Sequence, residues 1–347
     1  MNEIQACSMS RRQQITIKEV AAHAGVSQMT VSRVLNRASM VREETREKVE
    51  AAIKALNYRP NLMARGLAAG KALSIGLIYN NPSHGYLGEL LIGAMKSCRE
   101  AGHHLMVEDL YSEHEALEPT ELAERLFDMG LDGVIIAPPL SHNHDVIKAL
   151  RDWDVSFVLI APGDIAGNDP TVTIDDAAAA QSMTQYLIDR GYRDIGFIIG
   201  PTNQTASGDR YDGFRKAMLE NDIAIDDNLI AKGAFTYRSG MVAAQRLLSL
   251  PKRPAAIFAS NDDMAAGAIA AAHSMGLKVP GDLAIVGFDD TPIANAIWPQ
   301  LTTVRQPIAD MAHRAVSMLS ERILGEQSSM PDEMVLPVSI VERESVS

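Results

Sequence analysis

Four side chains near the N-terminus have the chemistry needed to read the edges of DNA bases. They are Gln28, Met29, Ser32 and Arg33. At helical spacing these four share one face of a short helix, while Val31, Val34 and Leu35 fall on the opposite face. An arginine suits guanine, a glutamine suits adenine, and a methionine offers an apolar contact to a thymine methyl group. The spacing therefore predicts a polar helical face that can enter a major groove.

The same segment, ITIKEVAAHAGVSQMTVSRVL, contains the elements that would position this face. Thr16 and Glu19 have the spacing of a capping box, so a first helix is expected to begin directly after Thr16. Gly25 permits a tight turn, and Ser27 can cap a second helix by accepting a hydrogen bond from its free N–H groups. Two short helices joined by a glycine turn are typical of a helix-turn-helix. A helical hairpin in another kind of bundle is the alternative.

A second set of polar and aromatic residues follows apolar runs later in the chain. Its members are Tyr79, Asn80 and Asn81 with nearby Tyr86, then Asn261 and Asp262, then Asp289 and Asp290. Amides and carboxylates bind neighbouring hydroxyl groups in pairs, and an aromatic ring covers the apolar face of a sugar. A sugar-binding site is therefore one interpretation. Asp262 and Asp290 are alternatively helix caps at strand-to-helix turns, which is a common use of aspartate.

Apolar runs and amphipathic segments alternate through most of the chain. The strand candidates are residues 73–79, 104–107, 133–137, 157–161, 195–200, 255–259 and 283–288. Helical patterns include residues 44–56, 87–100, 177–190, 210–221 and 264–275. Continuous apolar strands between amphipathic helices indicate parallel sheets covered on both faces, and ligands bind outside the carboxyl ends of such strands. Two sets of strands that divide near residues 171–175 predict two similar lobes facing one cleft.

The charge of the chain is distributed unevenly. Residues 1–71 contain 12 Lys and Arg against 6 Asp and Glu, a net charge of +6. The remainder contains 20 against 38, a net charge of −18, so the 347-residue chain carries −12. A basic head on an acidic body is expected when only the head contacts phosphates.

The sequence predicts no enzyme, no cofactor and no metal site. Phosphate-binding glycine motifs and a G-x-S-x-G elbow are both missing. Cys7 and Cys98 are not expected to pair, and the nine histidines lack ligand spacing, so His142 and His144 are interpreted as solvated. The N-terminus lacks an apolar signal-peptide region, and no run approaches transmembrane length. A cytoplasmic location without a membrane partner is therefore expected.

The stretch TIKEVAAHAGVSQMTVSRVLN, followed by TREKVEAAIKALNYRPN, resembles the N-terminal signature of the LacI/GalR family of bacterial transcriptional regulators, and the similarity continues to about Val341. The resemblance implies an all-α helix-turn-helix headpiece and an α/β body of two doubly wound parallel sheets, similar to periplasmic binding proteins. The implied domains are a flexible tail (1–14), a DNA-binding domain (15–60), a hinge helix (61–71) and an effector-binding and dimerisation domain (72–347). Its first lobe would comprise about 72–172 and 305–332, and its second about 173–301 and 333–347.

The resemblance also implies DNA contacts beyond the recognition helix. Phosphate contacts would be made by Thr16, Ser27, Thr30, Asn36 and Tyr58. A hinge helix beginning at Asn61 would form when two copies meet in the minor groove, with Ala64 at their contact and Leu67 wedged into a base step. Arg42 stands where relatives more often carry a small capping residue, so the third helix is expected to begin without a good cap.

For the effector, the resemblance implies contacts that partly match the strand-end residues. Arg210, Asn261 and Asp289 would bind effector hydroxyls, Phe235 would pack on the ligand, and Asn80 would contribute from the first lobe. Arg210 could instead pair with Asp209 or Asp212. Trp298 and Tyr86 are each either ligand contacts or packing residues. Ala161 stands where a sugar-binding relative has an aspartate, which argues for a different effector.

The leading hypothesis is a repressor of carbohydrate genes whose affinity for a pseudo-palindromic operator is controlled by a sugar. A homodimer would present two recognition helices to two half-sites. A purine-like corepressor on the same scaffold, a sugar-binding transport protein and a doubly wound enzyme are the alternatives. The missing signal peptide and the DNA-reading head count against transport, and the missing motifs count against an enzyme.

Overall fold

The computed structural model describes residues 17–35, 42–56, 72–108, 118–163, 167–325 and 331–347. The chain divides into two compact units, residues 1–69 and 70–347. The expected tail (1–14) and hinge helix (61–71) lie outside the described residues.

Three helices form the described part of the first unit: α1 (Ile17–Ala24), α2 (Gln28–Leu35) and α3 (Glu43–Ala55). They enclose a small apolar core made by Val20, Ala21, Val31, Val34, Val49 and Ala52. Gly25 has φ +66, the left-handed conformation that the turn between α1 and α2 requires and that glycine adopts without strain. Arg42 makes no side-chain capping bond to α3, as expected from its type.

The second unit contains two six-stranded sheets. The strands of the first sheet are β1 (Ser74–Ile78), β2 (His104–Glu108), β3 (Gly133–Ile136), β4 (Phe157–Ile160), β5 (Thr171–Thr173) and β11 (Glu333–Val335). Their spatial order is β11-β5-β4-β3-β1-β2, and all their pairings are parallel. The central strands β3 and β4 are buried along their whole length, which explains their continuous apolar sequences.

The second sheet repeats this arrangement. Its strands are β6 (Ile195–Ile199), β7 (Ile230–Lys232), β8 (Ala256–Ala259), β9 (Ala284–Asp289), β10 (Thr302–Arg305) and β12 (Ser339–Val341). Their order is β12-β10-β9-β8-β6-β7, and only β12 runs antiparallel to its neighbour. The doubly wound parallel architecture predicted for both lobes is therefore observed.

Helices cover both sheets. They are α4 (His84–Ala101), α5 (Pro119–Asp128), α6 (His144–Asp152), α7 (Asp176–Asp189), α8 (Thr205–Glu220), α9 (Tyr237–Leu248), α10 (Asp262–Ser274), α11 (Pro292–Ala296) and α12 (Ile308–Ile323). Three helix pairs, α4 with α12, α7 with α8 and α9 with α10, approach so closely that only glycine fits between them. A Cβ on Gly93 of α4 would lie 1.9 Å from the carbonyl oxygen of Ala309 on α12, and one on Gly213 of α8 would lie 2.1 Å from that of Ala177 on α7.

The chain passes between the lobes at three places, and two of the expected lobe boundaries need correction. Residues 333–347 were assigned to the second lobe, but β11 pairs with β5 of the first sheet, with Glu333 opposite Thr171. The return to the second lobe therefore falls between β11 and β12, at residues 336–338. Residue 305 was assigned to the first lobe, but β10 pairs with β9, so that crossing falls at residues 306–307. Short strands without an apolar run give no sequence signal that separates them from linkers.

Within the described ranges, no helix is both long enough and apolar enough to cross a membrane.

Candidate nucleic-acid interface and effector cleft

Helix α2 presents the predicted base-reading side chains to solvent. Gln28 and Arg33 are exposed, and Met29 is 64 % exposed, although it is apolar. Val31 and Val34 are buried on the opposite face, so the helix is divided as its spacing predicted. Ser32 lies on α2, but its side chain is outside the described set.

Two of the predicted phosphate contacts lie at the start of this helix. Ser27 accepts a hydrogen bond from the Thr30 N–H at 3.1 Å, and the two hydroxyl oxygens lie 2.9 Å apart. Ser27 therefore caps α2, as predicted from its type. The other predicted DNA contacts fall on residues outside the described ranges: Thr16, Asn36, Tyr58, Asn61, Ala64 and Leu67.

A cavity of about 30 Å³ lies between the two lobes of the second unit. Its wall is formed by Asn81, Ser83, Tyr86, Pro138, Ala161, Asp176, Gln204, Ala206, Arg210, Phe235, Asn261, Asp289 and Gln306. Most of these residues follow the carboxyl end of a strand, which is where parallel sheets bind ligands. The volume holds only one or two water molecules, so the lobes must separate to admit a sugar or a base.

The structure brings six of the nine predicted effector residues to this wall: Asn81, Tyr86, Arg210, Phe235, Asn261 and Asp289. Three predicted residues do not line it. Trp298 is 74 % exposed in the bend between α11 and β10, so the interpretation as a ligand platform is wrong for this conformation. Tyr79 packs against the hydrophobic core, and Asn80 is half-buried away from the wall. The polar contact at the end of β1 is therefore supplied one residue later, by Asn81.

Arg210 forms the centre of a buried polar network. Its Nε donates to Asp176 Oδ1 at 2.7 Å, and its Nη1 donates to the Ser260 carbonyl oxygen at 2.6 Å and lies 3.6 Å from Asp289 Oδ1. The guanidinium also lies 3.7 Å from the centre of the Phe288 ring. Burial alone would lower the pKa of Arg210, but the two carboxylates raise it above its ordinary value. From the sequence, Asp209 and Asp212 were the alternative partners of Arg210. The structure pairs it with Asp176 and Asp289 instead.

Asp289 occupies a strained position at the end of β9. Its φ is +117, and it accepts a hydrogen bond from Gln306 Nε2 at 2.6 Å. Burial raises the pKa of Asp289 to about 7, although Arg210 and Gln306 oppose the shift. Ala161 and Phe235, also on the wall, have φ values of +45 and +56. Backbone strain in non-glycine residues concentrates at functional sites, and here three cases meet at one cavity.

The neighbouring aspartates were interpreted as helix caps, and this interpretation is wrong. Asp262 is buried and accepts hydrogen bonds from the Thr291 N–H at 2.8 Å and the Thr303 hydroxyl at 2.6 Å. Asp290 binds Arg305 and Arg343, each at 2.6 Å.

The cap of α10 is Asn261, whose Oδ1 accepts from the Met264 N–H at 2.9 Å. Its Nδ2 donates to the Phe235 carbonyl oxygen at 3.2 Å. A predicted effector residue therefore also organises the wall around it.

Two hydrogen bonds connect the lobes across the cleft. Ser83, at the start of α4, donates to Asp263 Oδ2 on α10 at 2.6 Å. His142 accepts a hydrogen bond at Nδ1 from the Thr205 N–H at 3.3 Å, and its Nε2 contacts the Ala161 carbonyl oxygen. Burial lowers the pKa of His142, which favours the neutral ring that can accept at Nδ1. His142 is therefore part of the closed cleft, and the interpretation of this residue as solvated is wrong.

Sequence reasoning missed seven wall residues: Ser83, Pro138, Ala161, Asp176, Gln204, Ala206 and Gln306. Ala161 was noted only for the side chain it lacks. Asp176 stood at the start of a predicted helix, and its pairing with Arg210 bridges 34 positions of sequence. Gln306 follows β10, a strand whose sequence gave no apolar run, so no strand-end signal existed there.

The wall has the chemistry of a binding site. Its carboxylates, amides and guanidinium are aimed at one another across a closed space, so they can exchange these bonds for a ligand's polar groups. In the described ranges, no group of three His, Cys, Asp or Glu side chains could hold a metal ion.

Comparison with known proteins agrees with this two-part arrangement. Residues 16–61 match the family described as bacterial regulatory proteins, lacI family. Residues 184–346 match the periplasmic binding protein-like domain.

Full-length relatives extend the match to nearly the whole chain. The HTH-type transcriptional repressor PurR of Photorhabdus laumondii is 36 % identical over 334 residues, covering 95 % of this chain and 96 % of that protein. The protein of the same name from Salmonella paratyphi B is 35 % identical, covering 96 % and 97 %.

Solved structures of the same architecture include regulators with bound ligands. The transcriptional regulator CelR–cellobiose complex is 30 % identical with a TM-score of 0.71, covering 96 % of this chain and 100 % of that chain. The lac repressor dimer bound to operator and the anti-inducer ONPF is 28 % identical with a TM-score of 0.70 and the same coverage. These relatives are transcriptional repressors and regulators, not enzymes. The chain therefore belongs to the lacI family of bacterial regulatory proteins, as a DNA-binding transcriptional repressor with an effector-binding domain.

Proposed function

We propose that this repressor controls genes of carbohydrate uptake or catabolism and that a small sugar-like effector in the interlobe cavity sets its operator affinity. It acts on DNA in the cytoplasm. The observation that carries the proposal is the composition of the cavity wall, where eight polar side chains surround the same space as two aromatic rings.

The donors and acceptors of this wall suit a polyol. Asp289 and Asp176 accept hydrogen bonds, Arg210 donates, and Asn261 and Gln306 can do both. Hydroxyl groups both donate and accept, so they can satisfy this mixed array in pairs. The Phe235 ring offers an apolar face of the kind that packs on sugar C–H groups. The likeness to a regulator complexed with cellobiose supports the same class of ligand.

A purine corepressor is the second candidate, and a specific observation favours it. Relatives matching over more than nine-tenths of the chain carry the name PurR. Tyr86 and Phe235 both line the cavity, and two aromatic rings can hold a planar base between them. In that case the ligand would tighten operator binding instead of releasing it.

We also propose that the repressor works as a homodimer. Four of the exposed large apolar side chains of the first lobe lie on two elements that are neighbours in the fold: Ile92, Met95, Met106 and Val107. Two lie on α4 and two on β2, the edge strand of the first sheet, and these elements pack together. Exposed apolar side chains on an unpaired edge strand and on the helix packed beside it suit a second copy of the chain. The lac repressor neighbour is a dimer.

For the headpiece, we propose that Gln28, Met29, Ser32 and Arg33 read base edges in each half-site. Ser27 and Thr30 would contact phosphates beside them. The remaining proposed contacts are phosphate contacts by Thr16, Asn36 and Tyr58, and a minor-groove hinge over residues 61–71 with Asn61, Ala64 and Leu67. We propose that the chain is organised as four parts: a tail, the headpiece, a hinge and the effector-binding domain.

The test is a titration of the full chain into a fluorescently labelled duplex from upstream of its own gene, followed by anisotropy. A sugar that releases the duplex supports the leading proposal, whereas a purine that tightens the complex supports the second candidate. Arg210→Met should abolish the effect of either compound without weakening DNA binding, while Arg215→Met on the exposed face of the same helix is the matched control. Failure to bind any duplex after selection from random sequences at low salt would contradict the proposed function.

A further inference from the structure

The wall of the interlobe cavity has more negative than positive charges. Asp176 and Asp289 provide two carboxylates, and Arg210 is the only Lys or Arg on the wall among the described residues. All three side chains are buried. Any charged group on a bound ligand would meet these charges with little water between them, so their balance decides which ligands are accepted.

The positive charge of Arg210 is already balanced inside the protein. Its Nε binds Asp176 at 2.7 Å, and its Nη1 lies 3.6 Å from Asp289. An anionic ligand that approaches this guanidinium would also meet the two carboxylates that are fixed beside it. Burial raises the pKa of Asp289 to about 7, so this wall already disfavours one of its own negative charges.

A larger space that is lined by acidic side chains lies beside the cavity. This acidic mouth has a volume of about 860 Å³ and shares Ala161, Asp176 and Ala206 with the cavity wall. Its acidic residues are Asp169, Asp175, Asp176, Asp209, Asp332 and Glu333. Among the described residues that line it there is no Lys or Arg; Arg151 and Arg322 approach from outside and pair with Asp169 and Asp332.

A further space shares Asp289 and Gln306 with the cavity wall, and the one Lys or Arg among the described residues that line it is already paired. Arg305 lies there with Asp289, Asp290 and Glu89, and its Nε binds Asp290 at 2.6 Å. Within the second unit, the stretches 109–117, 164–166 and 326–330 contain no Lys or Arg in their sequences. Beyond position 71, the residues of this unit that lie outside the described ranges therefore add no Lys or Arg charge to the cleft.

We propose that the effector carries no negative charge and that the cleft rejects phosphorylated and carboxylated forms of the same compound. This inference rests on the proposed function, since it names the class of molecule that the cavity accepts. The free sugar or base, and not its phosphorylated product, is then the signal that the repressor detects.

The size of the discrimination follows from the charges. A phosphate monoester carries about −1.5 to −2 at pH 7. A single excess carboxylate about 6 Å away, at an effective dielectric constant near 20, weakens binding of each unit charge by about 100-fold. Proton uptake by Asp289 relieves part of this repulsion. The phosphorylated form of a compound that binds is therefore expected to bind at least about tenfold more weakly than the free form.

The test uses the full-length repressor and a small-molecule extract of bacteria grown on mixed sugars and nucleosides. The extract is passed through an anion-exchange resin, and the flow-through and the eluate are each assayed by thermal shift of the protein. Stabilising activity in the flow-through supports the proposal. Stabilising activity that is retained by the resin and recovered in the eluate overturns it.

A variant pair tests the assigned residue. Asp176→Asn removes one of the two carboxylates beside Arg210, so the ratio of the dissociation constants of phosphorylated and free probe should fall about tenfold. Asp145→Asn, which changes an exposed acidic residue in the first turn of α6 that lines neither the cavity nor the acidic mouth, should leave that ratio unchanged. An unchanged ratio in Asp176→Asn also contradicts the proposal. Glu333→Gln removes a negative charge from the acidic mouth and leaves the Arg210–Asp176 pair intact. The same ratio of dissociation constants, measured in this variant, is therefore a second and independent test.

These outcomes are distinguishable from a failure of the proposed function. If an uncharged compound stabilises the protein but never changes operator anisotropy, the charge selection is correct and the regulatory role is wrong. If an eluted anion both stabilises the protein and changes operator binding, the regulatory role is correct and the charge selection is wrong.

Discussion

Replacement of Arg210 by methionine is the perturbation that best tests the physical account of the cleft. Methionine preserves much of the aliphatic volume but removes the cation that pairs with Asp176 and lies 3.6 Å from Asp289. The side chains of Arg210 and Asp176 are only 7 % and 8 % exposed, so the carboxylate stays largely desolvated when its partner is lost. Removing one member of a buried, hydrogen-bonded ion pair costs about 3–5 kcal/mol, because the other charge stays desolvated.

For a domain of this size, that loss corresponds to a fall in the melting temperature of about 6–15 °C. The assay is urea unfolding of the full chain, monitored by circular dichroism and by the fluorescence of the two Trp residues of the sequence. Because headpiece and body are separate units, the transition of the body is the one to compare.

The pH dependence gives the deciding evidence. Without the guanidinium, which lowers the pKa of Asp289, that pKa in the folded state should rise further, so the native state binds more protons than the unfolded state. Stability contributed in this way is present at low pH and is lost as the pH rises through the raised pKa. The deficit of Arg210→Met should therefore be largest near pH 8 and should shrink toward pH 5.

The matched control is Arg215→Met on the same helix. Arg215 is 48 % exposed and lies 3.6 Å from Asp212, so this surface pair contributes at most about 0.5 kcal/mol. Adding Asp176→Asn to Arg210→Met should recover part of the loss, since one stranded carboxylate disappears. A deficit below about 1 kcal/mol that does not vary with pH would refute the reasoning.

Four further predictions concern the DNA-reading helix, the interlobe bonds and the dimer. Arg33→Ala should weaken operator binding by about 1–3 kcal/mol and relax the preference at one base pair, as measured by anisotropy on single-base operator variants; an equal loss on every variant would indicate a phosphate contact. Asp263→Ala removes an interlobe hydrogen bond and should favour separated lobes by about 1–2 kcal/mol, seen as faster amide exchange along the cleft, whereas Asp263→Asn retains an acceptor and should change little. Burial lowers the pKa of His142, so its contribution to stability should be complete above about pH 6.5 and lost as the pH falls below that value; an unaltered melting profile in His142→Gln between pH 5 and 7 would contradict this. Met106→Glu should raise the dimer dissociation constant at least about tenfold in sedimentation velocity, and no change would place the interface elsewhere.

The sequence allowed the buried strands to be predicted well because burial on both faces leaves a continuous apolar run. The run predicted at 133–137 is observed as β3, Gly133–Ile136, and the run at 283–288 as β9, Ala284–Asp289. The edge strand β2 was also predicted, as the run at 104–107, but the edge strand β11 could not be predicted in the same way. β11 is the three-residue strand Glu333–Val335 with a polar first residue, so its pairing with β5 depends on tertiary context.

The candidate site was predictable where strand ends carry characteristic polar residues, as at Asn261 and Asp289. It was not predictable where long-range packing chooses the partner. Arg210 had acidic neighbours on its own helix, yet it pairs with Asp176 from a different helix because both are desolvated at the same cleft. Local spacing contains no information about such a pair.

The cavity wall combines several features that the fold itself does not need. Asp289 has φ +117 and a pKa raised to about 7 by burial, and Phe235 has φ +56. Such costs persist only where the surrounding structure enforces them, and they are reduced when a ligand supplies hydrogen bonds to the desolvated groups. The same hydrogen bonds would compete with those that hold Arg210 and Gln306 in place, so binding and rearrangement of the wall are energetically linked. By linkage, any change that an effector makes in operator affinity must be matched by an equal change that the operator makes in effector affinity. An effector that binds this wall equally well in both states would therefore leave the operator bound, however tightly the effector itself is held.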